Sequence, residues 1–389
     1  MLDRFTQGQL PDKHHKVFRK DGAMLFEHCF TRDGFDGPYS ILYHREAPTA
    51  QVEVSALDAP WPRPVAAGGP ALLRHHYTSS KIPAGGMPAQ SRIPLIFNED
   101  VVMYVARPTR SDEVYYSNAD GDDLYYIQQG AATLESPFGH LRVGPGDYVL
   151  VPRSVVHRFL LDPGEHVWFI TEGASVTIPP TYRNTTGQLR MEAPYNHRDF
   201  SRPTLPVDEG GWGIPMEGPK VVWVKREGHF TRHVYSNCPC DVVGWDGHVY
   251  PMKLPITAFQ PKVSTYHLPP NLHCTWQGSR FVVCSFVPRM VDFGPEAIPC
   301  PYPHSNVHCD EVIFYDQGHF TSRRGIEPGS LSYHPYGVPH GPQPGNYEAS
   351  VGKSWVDELA VMVDTFRPLH VTTQAVEIED GAYQGSWTR

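Results

Sequence analysis

The sequence predicts an all-β protein built as two jelly-roll halves, and three observations carry that prediction. Proline, at 39 of 389 residues, is about twice its usual share, and glycine is plentiful, so turns are frequent. Apolar runs are short and rich in β-branched and aromatic residues, the length of strands rather than of helices. The third observation is an internal repeat. YSNADGDDLYYIQQG, from Tyr116 to Gly130, parallels HSNVHCDEVIFYDQG, from His304 to Gly318, without a gap. GDYVLVPRSVVH, ending at His157, repeats the length and the Gly, Pro and His anchors of GSLSYHPYGVPH, ending at His340.

Taken in order, residues 1 to about 60 alternate polar and apolar positions and read as short strands with loops, Tyr39 to Tyr43 among them. The pairs Gly68-Gly69 and Gly85-Gly86 lack a strand before and a helix after, so they are turns rather than phosphate cradles. Adjacent histidines, His14-His15 and His75-His76, point to opposite sides of a strand and default to the surface. The first copy of the repeat holds Tyr116, Asp123 and His157 where the second holds His304, Glu311 and His340. Two ligand-type residues retain an ion more weakly than three, so the first copy is expected to be degenerate and metal-free.

From about 176 to 219 the chain is rich in Pro, Gly and polar residues and reads as a linker. The domains expected are therefore 1–219, an N-terminal β domain with the degenerate copy and linker, and 220–389, with the metal site. VVWVK restarts the strand pattern, and GWDG at 244–247 reads as a tight turn. LAVMVDTF is the last apolar strand, and QAVEIEDGAYQGSWTR reads as a loose tail.

Charged residues are sparse, the formal net charge is −9, and no Lys/Arg block follows a phosphate backbone, which argues against nucleic acid. No apolar stretch approaches the roughly 20 residues of a membrane helix, and the first residues lack a signal-peptide core. Seven cysteines at irregular spacing argue against a disulfide framework. Cys238 and Cys240 read as ordinary thiols, and the sequon at Asn184 as chance. A cytoplasmic protein is expected.

The chemistry concentrates between His304 and His340. His304 and Asn306 share a strand face, Glu311 opens the β-rich run Val312 to Tyr315, and a second strand after Gly329 turns at Pro335 and Gly337 to deliver His340. Two imidazoles and one carboxylate on adjacent strands can occupy one face of an octahedral ion, the facial-triad pattern of non-heme Fe(II) oxygenases, with manganese admitted by the same ligand types. The spacing Gly, five residues, Pro, one, Gly, two, His resembles the second signature motif of the cupin superfamily. The first block resembles its first motif, with Asn306 in place of a second histidine. The competing reading is a metal-free two-cupin binding protein, and a third is a metal-dependent isomerase or decarboxylase.

The chain further resembles the homogentisate 1,2-dioxygenase family over nearly its whole length. GQLPDKHHKVFRKDG, SILYH, DVVGWDGHVYP, HSNVHCDE, GSLSYHPYGVPHGP and VMVDTFRPL carry the resemblance. It implies a bicupin, one Fe(II) per subunit on His304, Glu311 and His340, and opening of homogentisate by O₂ to maleylacetoacetate in tyrosine and phenylalanine breakdown. A related hydroquinone-type ring is the alternative substrate, and a homo-oligomer is expected. The family's substrate-facing histidine falls on His334. Its proton-transferring histidine falls on Asp246, a base or a turn residue, and a pocket tyrosine falls on Phe320. Asn306 and Arg323 are candidates for substrate contact, with Arg324 and Arg289 as further cations for an acetate group. Each arginine has solvated surface as its competing reading, and His308 is expected to be exposed.

Overall fold

The computed structural model describes residues 3–69, 72–207, 216–266, 273–298, 302–320 and 322–388. Among these, only two short α-helices occur, Asn346–Ser350 and Thr373–Glu377; nearly everything else that is regular is strand. Part of the expected linker, 208–215, lies outside the described residues.

Two large antiparallel sheets form the centre. One has seven strands in the order Met252–Pro255, Asp147–Val151, Asp122–Gln129, Val167–Gly173, Val101–Ala106, Arg92–Phe97, His370–Val371. The other has six: Cys274–Gly278, Phe281–Phe286, Leu359–Thr365, Asp310–Gln317, Ser330–His334, His75–Thr78. Each sheet belongs mainly to one copy of the repeat, yet each takes edge strands from the other half. Strand alternation sends Phe314 toward the first sheet, where it stacks on Phe169 at 4.9 Å and meets Tyr126 edge-on at 6.2 Å. Tyr148 reaches Trp276 the same way. One continuous apolar core therefore joins the halves.

The strands Lys220–Arg226 and His229–Tyr235 pair with Tyr115–Asn118 and Gln51–Leu57. Val242–Gly247 pairs with Phe5–Gly8 and Tyr39–His44. The boundary expected at 219 thus falls before a stretch whose pairing, through Pro255, is with the first half.

Three local expectations are corrected. GWDG is not a turn: Gly244 and Gly247 lie in the strand Val242–Gly247. A Cβ at Gly247 would sit 2.3 Å from Ser40 Cα, and one at Gly244 2.2 Å from Gln9 O. Both glycines serve close backbone approach, a reason for glycine in a strand that local sequence does not distinguish from a turn. His76 is not at the surface; it is buried, with its Nε2 2.9 Å from Ser330 Oγ. The C-terminal residues are not loose. Tyr383–Trp387 forms a 3₁₀ turn with Tyr383 buried, and Trp387 Nε1 donates to Gly341 O at 3.3 Å.

Candidate metal centre

The two copies of the repeat build the same scaffold. In each, a residue ahead of the first strand forms an isolated antiparallel bridge with the motif's final histidine: Tyr116 with His157, and His304 with His340. In the second copy the bridge closes through two backbone hydrogen bonds of 2.8 Å. Asp310–Gln317 starts a few residues later and turns Glu311 to the same interior face, in register with His334. One candidate ligand atom from each of His304, Glu311 and His340 lies within 4.8 Å of the others.

Tautomers prepare these atoms. His304 Nδ1 lies 3.0 Å from the Tyr302 carbonyl, which can only accept, so that nitrogen carries the proton and Nε2 keeps its lone pair. His340 Nδ1 faces Val338 O at 3.5 Å in the same sense, and its Nε2 is buried with no hydrogen-bond partner, 3.8 Å from Glu311 Oε2. Burial opposes ionisation of Glu311, but the hydrogen bond from His334 Nδ1 favours it, and the carboxyl is held well below the usual range. Among the described residues no Lys or Arg pairs with Glu311. A buried carboxylate beside two imidazole lone pairs, one of them orphaned, fits a divalent cation.

His334 is fully buried and is not among the residues lining the cavity beside this group. Its Nδ1 is 2.8 Å from Glu311 Oε1 and its Nε2 3.2 Å from Tyr383 OH. Burial is the main reason its imidazole is pushed down to about 4, so the neutral ring is held by a donating phenol on one side and a carboxylate on the other.

The cavity, of about 500 Å³, is lined by His304 and Glu311, by Asn306 and Arg323, and by apolar Phe286, Ile313 and Met362. Arg323 is buried rather than solvated. Its guanidinium packs over Trp387 at 5.6 Å and donates to the Gly341 carbonyl at 2.5 Å, its Nε has no partner, and no carboxylate pairs with it among the described residues. Arg289 also lines the cavity but is engaged by Glu358 at 2.9 Å. Arg324 bonds to Pro344 O, and His308 is exposed. Phe320 packs on Tyr315 at 4.7 Å and does not line the cavity. Asp246 is not brought to this group. It lies mid-strand in another sheet, paired with Arg4 and with His14 Nε2 at 2.9 Å.

Sequence reasoning missed Asp364, which lines the cavity across from Glu311. Burial and the Glu311 charge push its carboxyl up to about 8. A polar residue at an interior position of LAVMVDTF was the available signal.

The first copy holds a different cation. Arg92, fully buried, makes two hydrogen bonds to Asp123, of 3.0 and 2.8 Å, and packs against Trp61, Tyr104, Tyr116 and Tyr125. Asp123 is the counterpart of Glu311, so a guanidinium meets the carboxylate that would otherwise ask for a metal.

A family model described as the N-terminal part of homogentisate 1,2-dioxygenase matches residues 96–256, ending just after the strand Met252–Pro255. The chain is 37% identical over 392 residues to "Putative dioxygenase SSO1533" of Saccharolobus solfataricus, covering 100% of this chain and 99% of that protein. It is 28% identical over 304 residues to homogentisate 1,2-dioxygenase of Rhizobium rhizogenes, covering 73% of this chain and 62% of that protein, so it spans under two thirds of that relative's length. A cupin 2 conserved barrel domain protein from Leptotrichia buccalis aligns with 75% of this chain and 96% of its own, at 8% identity and a TM-score of 0.33. With a full-length relative at 37% identity and the family's own N-terminal signature, the chain belongs to the homogentisate 1,2-dioxygenase family, a family of dioxygenase enzymes.

Proposed function

We propose that the chain is a ring-cleaving dioxygenase that holds one Fe(II) on His304, Glu311 and His340 and acts on a para-dihydroxylated ring bearing an acidic side chain, homogentisate first. The observation that carries the reading is the convergence of ligand atoms from His304, Glu311 and His340 within 4.8 Å of one another, beside a cavity of about 500 Å³ that His304 and Glu311 line. Iron, when bound there, supplies the means of bringing triplet O₂ to react with an aromatic ring.

The protein's own residues supply the rest. Phe286, Ile313 and Met362 offer the ring an apolar wall and exclude water around it. Arg323, a buried guanidinium with no carboxylate partner, suits the substrate's carboxylate, whose burial is costly without a cation. Tyr383 and His334 hold Glu311 through its Oε1, which leaves Oε2 free to turn toward His340. Asn306 borders the cavity beside His304 and is available to a ring substituent.

The test is O₂ consumption by Fe(II)-loaded protein against homogentisate, gentisate, hydroquinone and catechols. Uptake stoichiometric with homogentisate is expected, with hydroquinone slower. No uptake with any of them would overturn the reading and favour a protein that binds without chemistry.

A further inference from the structure

The cavity contains an acidic group that the reading above leaves without work. Asp364 lies on Leu359–Thr365 directly across from Glu311, and its Oδ1 is buried with no hydrogen-bond partner among the described residues. Strand alternation accounts for its placement: Val361 and Val363 face the core, while Met362 and Asp364 line the cavity with Ile313 and Glu311 of the neighbouring strand. An unpaired polar atom at such a position costs stability, so its retention points to a partner that arrives from outside the fold.

The first copy of the repeat shows what two such carboxylates otherwise require. There Asp123 faces Glu172 in the same strand register, and each carboxylate meets a fixed cation, Asp123 the bidentate Arg92 and Glu172 the ammonium of Lys225. In the second copy neither Glu311 nor Asp364 is paired with a Lys or Arg among the described residues. A metal ion on Glu311 meets the need of one; the other faces the space where the substrate enters.

We propose that Asp364 binds the substrate ring through a hydroxyl, the one remote from the metal, which donates to its carboxyl group at the cavity wall. The inference rests on the substrate class proposed above. It adds a selection rule: at this position the site favours a hydroxyl over an ether, which has no proton to donate. Arg323 suits the substrate's carboxylate and Asp364 its remote hydroxyl, so the two residues, on the wall of one cavity, together give the ring one orientation.

The experiment is anaerobic calorimetric titration of Fe(II)-loaded protein with homogentisate and with its 5-O-methyl ether, for wild type, Asp364→Asn and Asp364→Ala, with metal content measured on each sample. Wild type is expected to prefer the free hydroxyl by about tenfold or more, and Asp364→Ala to lose most of that preference while keeping its metal. Asp364→Asn, which retains an acceptor, should keep part of it. Equal preference in wild type and Asp364→Ala would overturn the proposal, as would loss of metal from both variants, which would make Asp364 a support of the metal group. Because binding is read without O₂, failure of the dioxygenase reading shows separately, as absence of oxygen uptake by the same wild-type sample.

Discussion

Replacing Arg92 by Met should destabilise the protein by about 3–5 kcal/mol, the cost of leaving one member of a buried ion pair behind. The structure places this pair at the unfavourable extreme. Arg92 and Asp123 are each about 1% exposed as side chains, joined by two hydrogen bonds, with Glu172 4.0 Å from the same guanidinium. Met fills much of the guanidinium stem's volume among the rings of Trp61, Tyr104, Tyr116 and Tyr125, so loss of packing is the smaller part and the stranded Asp123 charge the larger. If that apportioning is right, Arg92→Met with Asp123→Leu should lie within about 1–2 kcal/mol of wild type, since removing both partners removes the uncompensated charge. Urea denaturation followed by tryptophan fluorescence, with midpoints compared at equal slope, measures each corner of the cycle. A loss below about 1 kcal/mol for Arg92→Met, or a double variant as unstable as the sum of the singles, would refute the view that this guanidinium takes the place of a metal.

Alanine at His304, Glu311 or His340 should abolish stoichiometric metal retention, whereas His157→Ala should leave it at one ion per chain; elemental analysis of purified protein decides, and saturation at two ions would count against a metal-free first copy. Tyr383→Phe removes the donor that holds the His334 tautomer and should weaken metal binding about tenfold, read by competition with a chelating dye. An unchanged affinity would sever the proposed connection from the C-terminal turn to Glu311. Burial raises the Asp316 carboxyl from its ordinary 3.8 to about 6 despite hydrogen bonds from Tyr126 and Gln128. Folding therefore takes up a proton between those pH values, stability falls as pH rises through them, and the penalty stays in place above about 6. Asp316→Asn keeps an acceptor for Tyr126 and should flatten that slope, gaining on the order of 2 kcal/mol at pH 7; parallel stability curves would show the assignment to be wrong.

Short-range pattern made much of this molecule legible. The ungapped match of 116–130 to 304–318 reappears as two equivalent backbone bridges, because strand spacing and turn chemistry are local properties and survive duplication. The same locality explains the grouping of His304, Glu311 and His340, whose ligand atoms meet through a single bridge and one short strand. What stayed hidden depends on pairing between distant strands. Nothing near Arg92 in the chain announces Asp123 as its partner, and nothing near Asp364 announces Glu311. Tyr383 and Trp387 sit in a polar stretch, and only their tertiary contacts with His334 and Gly341 distinguish an anchored turn from a free end. Asp246 misled in the opposite direction, since a glycine-flanked acid looks the same in a turn as in a strand packed against another backbone.

The exchange of edge strands between the halves also sets a timetable for folding. Thr372 Oγ1 donates to Pro94 O across 278 residues of chain, and His75–Thr78 pairs along its length with Ser330–His334. During synthesis the first sheet must wait for His370–Val371 with its far edge open, and His75–Thr78 must wait unpaired for most of the chain to appear. Long-range pairing of this kind slows folding and leaves strand edges available to the wrong neighbours in the meantime. Neither half excised alone carries all the strands that close its own sheet, so each fragment would present an adhesive border to other molecules, and whole-chain expression with slow, cool synthesis suits this topology.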